Sequence, residues 1–206
     1  MRYRRWGALA VITLLCGAGV GAEQAATELI QHKVHAVLAI LRDPALQGPA
    51  RRTQRRQRIL EEANTIFAWD EIARSSLGVT WRELDPTRRA RFVELFRGAV
   101  ANYYLDQIDS LAGTEQVTVK AGMAEGARQM VTTVVRGRRQ PVQIDYYLEK
   151  YAEGWRVVDL SVEGVSVVNN YRSRFRHYLT DHSFDDLLTR LRIGRSRGAG
   201  AARRPS

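Results

Sequence analysis

The sequence contains one cysteine, Cys16, and its longest apolar run is shorter than the roughly 20 residues that a membrane-spanning helix requires. A lone cysteine excludes an intramolecular disulfide. The P-loop, G-x-S-x-G, H-E-x-x-H and dinucleotide-binding glycine patterns are also missing. The nucleotide-binding, serine-hydrolase and zinc-protease classes therefore have no support from the sequence.

Residues 1–22 have the pattern of an export signal. Arg2, Arg4 and Arg5 precede an apolar stretch that ends near Cys16, and small residues follow up to Ala22. This order is typical of a secretory signal peptide, so we expect cleavage near Ala22 and export of the mature chain. The same cleavage removes the cysteine, and stability must then come from an apolar core.

Positive charge dominates, with 32 Lys and Arg against 22 Asp and Glu and a formal net charge of +10. The densest group has no interleaved aromatic residues and consists of Arg51, Arg52, Arg55, Arg56 and Arg58. We interpret it as a solvated helix face, with docking to an anionic membrane or acidic partner as the alternative, and not as a nucleic-acid site. The Gly- and Arg-rich segment 194–206 is expected to be a disordered basic tail.

Apolar periodicity predicts helices in the first half of the chain. A helix that includes Ile30 ends at Asp43-Pro44, because proline cannot continue the hydrogen-bond ladder. The arginine-rich helix and a short helical piece at 70–75 follow. Asp85 can cap the next helix, with Pro86 in its first position, and the apolar spacing predicts a length of roughly 25 residues.

Four extended runs follow at 117–124, 127–136, 141–150 and 155–162, separated by turns that contain glycine. Such turns predict an antiparallel meander. Alternation in the third run puts Val142, Ile144, Tyr146 and Leu148 on one face, and Val158, Leu160 and Val162 share a face in the fourth. We expect an α+β domain: a sheet of four or slightly more strands, with helices packed on one face.

The segment after the last long strand is read as a helix with an apolar stripe at Val165, Val168, Tyr171, Phe175 and Tyr178. The stripe could belong to an ordinary core or to the wall of a cavity for an apolar ligand. A final helix is expected to start at Ser183, with Asp186 completing a capping box, and to end at Gly194.

Candidates for catalysis or metal binding are weak. His32 and His35 could join Glu28 on one helix face, but no other short cluster completes a metal site. Asp145 and Asp159 could form a carboxylate pair, although outward-facing acids on strands are common. We therefore predict no enzymatic activity, no metal and no cofactor.

Three segments resemble the MlaC, or toluene-tolerance, family: residues 67–97, residues 145–175 and the closing DDLLTRL. The shared motifs are Leu77-Gly78 followed by Trp81, the run Trp155, Val157 and Asp159, then Glu163-Gly164-Val165-Ser166, Asn170-Tyr171-Arg172 and Phe175. The resemblance implies a periplasmic carrier that takes a phospholipid between an outer-membrane complex and an inner-membrane ABC transporter complex, with transient membrane contact. A hopanoid-associated branch of the family is the alternative for the ligand.

The resemblance also implies that acyl chains lie in an apolar cavity between sheet and helices. The expected wall residues are Phe96, Val100, Tyr104, Val142, Ile144, Tyr146, Val158, Leu160, Val162, Val165, Val168, Tyr171 and Phe175. Arg172 is the candidate contact for the head group or a partner. The expected organisation is a signal peptide at 1–22, one lipid-carrier domain at 23–193 and the tail at 194–206. A periplasmic interaction module with a closed core and a small hydrolase remain as competing hypotheses.

Overall fold

The computed structural model describes residues 17–109, 111, 113–123, 127–137 and 140–200. The helices are α1 (Gly17–Arg42), α2 (Arg52–Asn64), α3 (Trp69–Leu77), α4 (Pro86–Ile108), α5 (Val167–Asp181) and α6 (Phe184–Gly200). The strands are β1 (Gln116–Ala121), β2 (Gln129–Arg136), β3 (Val142–Tyr151), β4 (Gly154–Val162) and β5 (Val165–Ser166). Most of the predicted signal peptide and the end of the predicted tail lie outside the described residues.

The strands form one antiparallel sheet in the order β1-β2-β3-β4-β5, which confirms the α+β class and the meander. The two-residue strand β5 follows a tight turn at Glu163 and Gly164, whose φ angles are 51° and 79°. Glycine adopts this left-handed conformation without steric cost, so the chain can reverse directly after β4. Val165 therefore lies on a strand opposite Val162 and precedes α5, whereas the sequence predicted it on the helix stripe.

The predicted helix ends have the expected chemistry at three positions. Pro44 follows the last turn of α1, and the Asp85 side chain accepts a hydrogen bond from the backbone N–H of Arg88 at the start of α4. Before α6, the Ser183 hydroxyl and the Asp186 carboxylate form the predicted reciprocal cap. The expected end at Gly194 is wrong, because α6 continues to Gly200.

Buried side chains form three clusters. The bundle core lies within α3–α6 and includes Phe92, Phe96, Val100, Val168, Phe175 and Leu187. The sheet core joins α1 to one sheet face through Ala26, Ile30, Ile66, Val131, Leu148 and Val157. The corner core joins α1, α2 and the end of α4 through Leu41, Ile59 and Leu105. Among the described side chains, Phe67 packs against both the bundle core and the sheet core.

Two connections attach the bundle to the sheet at strand β4. The backbone of Val157 accepts from the N–H of Ala68 at 2.9 Å and donates to the carbonyl of Ile66 at 2.8 Å. Two residues further along β4, Asp159 accepts from the backbone N–H of Val168 and from the Ser166 hydroxyl. The carboxylate thus fixes the start of α5 against the strand.

The arginine-rich helix α2 is paired with acids of α4 and is less solvated than predicted. Asp109 accepts from Arg52 at 2.7 Å and from Arg55 at 3.0 Å, and Arg56 pairs with both Asp106 and Asp109. Arg56 is only 9% exposed. Asp106 in the last turn of α4 and Asp109 directly after its end both meet α2, a pairing that local sequence could not reveal. The other two arginines of the group are exposed.

Candidate functional site

One face of the sheet carries apolar side chains that no buried cluster covers. We call this group the sheet strip: Val135, Val142, Ile144, Leu160 and Val162. All five are half-buried and belong to none of the three cores described above. The sheet face extends about 13 Å along β3 from Val142 of the strip to Tyr146 beside it, given a strand rise of ~3.3 Å per residue. It is therefore an apolar surface left open beside a closed core.

The strand register defines this face. Ile144 lies opposite Val162, and Tyr146 lies opposite Leu160, so the predicted alternation in β3 is present. A β-bulge then shifts the register between β3 and β4. Leu148 of β3 pairs with Val157 of β4, and Val158 of β4 has no partner on β3. Because a bulge inserts one residue, simple alternation from the sequence could not assign Val158, which is buried with 2% exposure.

Two expected wall residues flank the strip. Tyr146 is half-buried and packs against the sheet core, where burial raises the pKa of its phenol. Val165 continues the strip on β5, opposite Val162, and is 57% exposed. Both residues lie on the same sheet face as the strip and extend its apolar surface.

The expected wall residues on helices are of two kinds. Phe96, Val100, Val168 and Phe175 are buried inside the bundle core, with exposures of 0%, 4%, 5% and 5%. They pack against other side chains of the bundle. Tyr104 and Tyr171 pack at its margin and remain half-buried, so only these two leave surface available for a ligand.

The half-buried tyrosines form an aromatic group with unused hydroxyl groups. Tyr171 meets Phe96 edge-on at 5.0 Å, and Tyr103 meets Tyr104 edge-on at 5.1 Å. Burial raises the pKa of Tyr104 to about 12, with smaller contributions from Tyr171, Tyr103 and Asp159. Burial also raises the pKa of Tyr171, so both phenols stay protonated at neutral pH. Within the described structure, neither hydroxyl has a hydrogen-bond partner.

A pocket of about 430 Å³ opens where the bundle meets the end of the β3–β4 hairpin. Its lining combines aromatic, cationic and acidic side chains: Phe67, Ala68, Trp69, Asp70, Glu71, Val93, Arg97, Tyr151 and Arg156. The rings of Phe67 and Trp69 stack at 5.2 Å. The pocket thus places polar groups beside Phe67, the side chain shared by two cores.

The sequence matches the model of the MlaC protein family over residues 31–193, which is most of the chain. The chain belongs to the MlaC family. The resemblance carried by the Leu77-Gly78 and Asn170-Tyr171-Arg172 motifs is thereby confirmed. No curated protein sequence gives a significant match.

The fold of this MlaC-family chain is similar to that of a solved structure from Ralstonia solanacearum. That structure is a phospholipid-binding protein in complex with a phospholipid. The two sequences are 20% identical, the TM-score is 0.70, and the match covers 84% of this chain and 98% of the other. At this identity the likeness concerns the fold, and it agrees with the α+β architecture described above.

The two acids considered for catalysis have structural partners in this MlaC fold. Asp145 is 8% exposed and accepts hydrogen bonds from the Thr132 hydroxyl and the Gln143 amide. Asp145 is therefore less exposed than is common for an acid on a strand, because these polar neighbours cover it. Asp159 holds the start of α5. His32 and His35 are exposed, as expected for a helix surface.

The described residues contain no group of three or more His, Cys, Asp or Glu side chains that could hold a metal ion. In the same part of the chain, no helix combines the length and apolarity needed to cross a membrane.

Arg172 contacts the framework of the protein. Its Nε donates to the backbone carbonyl of Ser75 at 2.7 Å, which ties α5 to the end of α3. Its aliphatic stem lies close to Gly78, which has a φ of 69°. This explains part of the family motif, and the head-group role of Arg172 stays a prediction.

Sequence reasoning missed the pocket residues Trp69, Arg97, Tyr151 and Arg156 as a group. They come from α3, α4, β3 and β4 and are separated by up to 87 positions in the chain (156 minus 69). An arginine on an apolar helix was the only local signal, and surface arginines are common. Only the tertiary structure brings the four together.

Proposed function

We propose that the mature chain is a non-enzymatic periplasmic carrier that binds a phospholipid on the sheet strip and transfers it between membrane complexes. The observation that carries this proposal is the strip itself, an apolar sheet face that the three cores leave half-covered. Membership of the MlaC family and the fold shared with a phospholipid-bound protein support it.

Binding acyl chains requires apolar surface and few directional contacts. Each methylene removed from water contributes about 0.8 kcal/mol, so a single chain gains several kcal/mol along a surface of this length. The strip supplies aliphatic side chains, and Tyr146 beside it adds half-buried aromatic surface. A ligand held mainly by such contacts can be released when a partner offers a comparable apolar surface.

The proposed transfer connects an inner-membrane ABC transporter complex with an outer-membrane lipoprotein or porin complex. A signal peptide cleaved near Ala22 would deliver the chain to the periplasm between them. The organisation into one carrier domain at 23–193 and a basic tail at 194–206 belongs to the same proposal. A hopanoid is the second candidate ligand, because an apolar strip does not distinguish it from an acyl chain.

Native mass spectrometry of the mature protein, purified from the periplasm without detergent, tests the proposal. We expect a mass increment that solvent extraction identifies as a diacyl phospholipid. A hopanoid would keep the carrier function and change the ligand. A protein that is empty, and stays empty after mixing with liposomes, would contradict lipid binding and favour an interaction module with a closed core.

Two valine variants test the role of the strip. Val162 and Val134 are both half-buried strand residues, but Val134 pairs with Gln143 and lies on the opposite sheet face. We expect Val162→Asn to lower the retained lipid on the order of fivefold, equivalent to about 1 kcal/mol of lost apolar burial. Val134→Asn is the matched control and should retain lipid as the wild type does. Equal losses in both variants would count against the strip.

A further inference from the structure

We propose that one side of α5 and α6 docks on the surface of an anionic lipid bilayer. The contact surface, which we call the tyrosine–arginine face, consists of Tyr171, Arg174 and Tyr178 of α5 with Arg190 and Ile193 of α6. The inference goes beyond the proposed lipid binding, because docking on a bilayer does not require that the protein retain a lipid. It is carried by the distribution of charge along the chain and by the contacts of these side chains.

Positive charge is concentrated at the C-terminal end of the chain. Beyond the predicted signal peptide, residues 23–166 contain 20 Lys and Arg against 19 Asp and Glu, so this part is nearly neutral. Residues 167–206 comprise α5, α6 and the predicted basic tail, and they contain nine arginines against three aspartates, a net charge of +6. A segment with such an excess of one sign, beside a nearly neutral remainder, is typical of a surface that meets an anionic partner.

The three aspartates of this segment lie at the junction of α5 and α6. Asp181 ends α5, and Asp185 and Asp186 lie in the first turn of α6. Asp185 pairs with Arg88 at 2.9 Å, and Asp186 accepts a hydrogen bond from the Ser183 hydroxyl. From position 187 to the last residue, every charged side chain is an arginine. The negative charge is therefore confined to the junction, and positive charge alone follows it along the chain.

Two arginines of the segment lie over tyrosine rings on one side of α5. The Cζ atom of Arg174 is 5.8 Å from the ring centroid of Tyr171, and the Cζ atom of Arg190 is 5.2 Å from the ring centroid of Tyr178. The two tyrosines are seven positions apart in the sequence, which is about two helical turns, so both rings lie on the same side of the helix. The two guanidinium groups therefore share one surface although they belong to different helices.

The guanidinium groups of the tyrosine–arginine face keep their charge available. Arg174 and Arg190 are exposed, and neither forms an ion pair with a carboxylate in the described part of the chain. A tyrosine ring supports a cation without neutralising it, whereas the carboxylates of Asp106 and Asp109 neutralise arginines of α2. Exposed guanidinium groups bind phosphate oxygens through paired, charge-assisted hydrogen bonds. The face therefore has the chemistry to bind the phosphates of lipid head groups.

The uncharged side chains of the face favour a bilayer over an acidic protein. Tyr171 and Tyr178 are half-buried, and tyrosine is enriched at membrane interfaces, where its ring meets apolar chains and its hydroxyl meets water. Ile193 is 48% exposed and follows Arg190 by three residues, so the two lie on neighbouring turns of α6. An exposed aliphatic side chain among arginines and tyrosines fits the boundary between head groups and acyl chains.

Co-sedimentation of the full-length mature protein with lipid vesicles tests the proposal. One set of vesicles is pure phosphatidylcholine, and the other contains equal amounts of phosphatidylcholine and phosphatidylglycerol. We expect the protein to bind the anionic vesicles at least roughly tenfold more tightly, because each arginine near an anionic surface strengthens binding. High salt should remove most of this preference, since it screens exposed charges. Equal binding to both vesicles, or a preference that salt does not change, would overturn the docking face.

Matched arginine variants locate the contact on the protein. Arg174→Gln and Arg190→Gln should each weaken binding to the anionic vesicles about fivefold, the equivalent of about 1 kcal/mol. Arg176→Gln removes an exposed arginine of the same helix, two positions from Arg174 and on another side, and Arg58→Gln removes an exposed arginine of α2. Both controls should change binding by less than about twofold, because their charges lie off the face. A loss in either control as large as that in Arg174→Gln would overturn the assignment.

Two further measurements separate the docking face from an acidic protein partner and from the carrier function. Binding to soluble poly-glutamate that is as tight as binding to the anionic vesicles, and is lost in Arg174→Gln, would assign the face to an acidic protein and overturn bilayer docking. Retained lipid without vesicle binding would refute the face and leave the carrier function intact. Vesicle binding without retained lipid would refute the carrier function and support the face. Thermal unfolding of each variant shows whether weaker binding reflects a loss of folding.

Discussion

The bundle of α3–α6 and the apolar face of the sheet use similar side chains, yet one is closed and the other is half-open. Phe92 and Phe96 are fully buried and stack at 5.4 Å, with Phe175 edge-on to both. On the sheet, Ile144 and Leu160 belong to no buried cluster and keep accessible surface. An apolar pattern therefore shows that a surface avoids water, while the tertiary arrangement decides whether protein or a ligand covers it.

The largest expected difference between the two regions is in how much stability is lost when a large apolar side chain is replaced by alanine. Phe92→Ala should lower the free energy of unfolding by about 3–5 kcal/mol, because it leaves a cavity among Phe96, Phe175 and Phe184. Ile144→Ala should cost the lipid-free protein only about 1 kcal/mol, since its side chain is already half-exposed. Urea unfolding of delipidated protein measures both. A similar loss for the two variants would mean that the strip is part of a closed core.

The hydrogen bonds of Asp159, which connect β4 of the sheet to α5 of the bundle, should make an intermediate contribution to stability. Asp159→Asn weakens the charge-assisted bonds to the Val168 N–H and the Ser166 hydroxyl, and we expect a loss of about 1–2 kcal/mol in the free energy of unfolding. Ser166→Ala removes the N-cap of α5 and one of the same bonds, so the double variant should be less destabilised than the sum of the two. Additive losses would show that the carboxylate acts independently of the cap.

The smallest expected effect is a pH dependence of stability that arises from Tyr104 at the margin of the bundle core. The pKa of Tyr104 is raised to about 12, chiefly by burial, so the phenol ionises later in the folded chain than in the unfolded chain. Its contribution to stability is complete below a pH of about 10 and is lost as the pH rises to about 12. Ultraviolet titration of tyrosinate should show a late step that Tyr104→Phe reduces. Unchanged late absorbance in the variant would contradict the assignment.

Local sequence chemistry predicted much of the fold. Pro44 and the caps at Asp85 and Ser183 act on backbone groups only a few residues away. The helix ends that they set could therefore be predicted from the sequence. Glycine-containing turns likewise predicted the antiparallel meander. The sequence motifs also predicted that the chain belongs to the MlaC family, and the match to the family model over residues 31–193 confirms this.

Features that depend on distant partners were not predictable in the same way. The bulge at Val158 follows from how β4 pairs with β3, and the burial of Arg56 follows from acids of α4. The assignment of Val165 to a helix failed because two residues suffice for a strand when a tight turn returns the chain to β4. Hydrogen bonding across elements decided each of these cases.

The sequence by itself determined which segments form helices and strands, where several of them begin, and the family to which the chain belongs. The tertiary structure decided which apolar faces close into cores, leaving the sheet strip half-covered, and which charges meet at the pocket beside Trp69. The physical reason is the distance along the chain over which each interaction acts. Caps, turns and apolar periodicity act within a few residues. Burial and charge pairing depend on residues that only folding brings together.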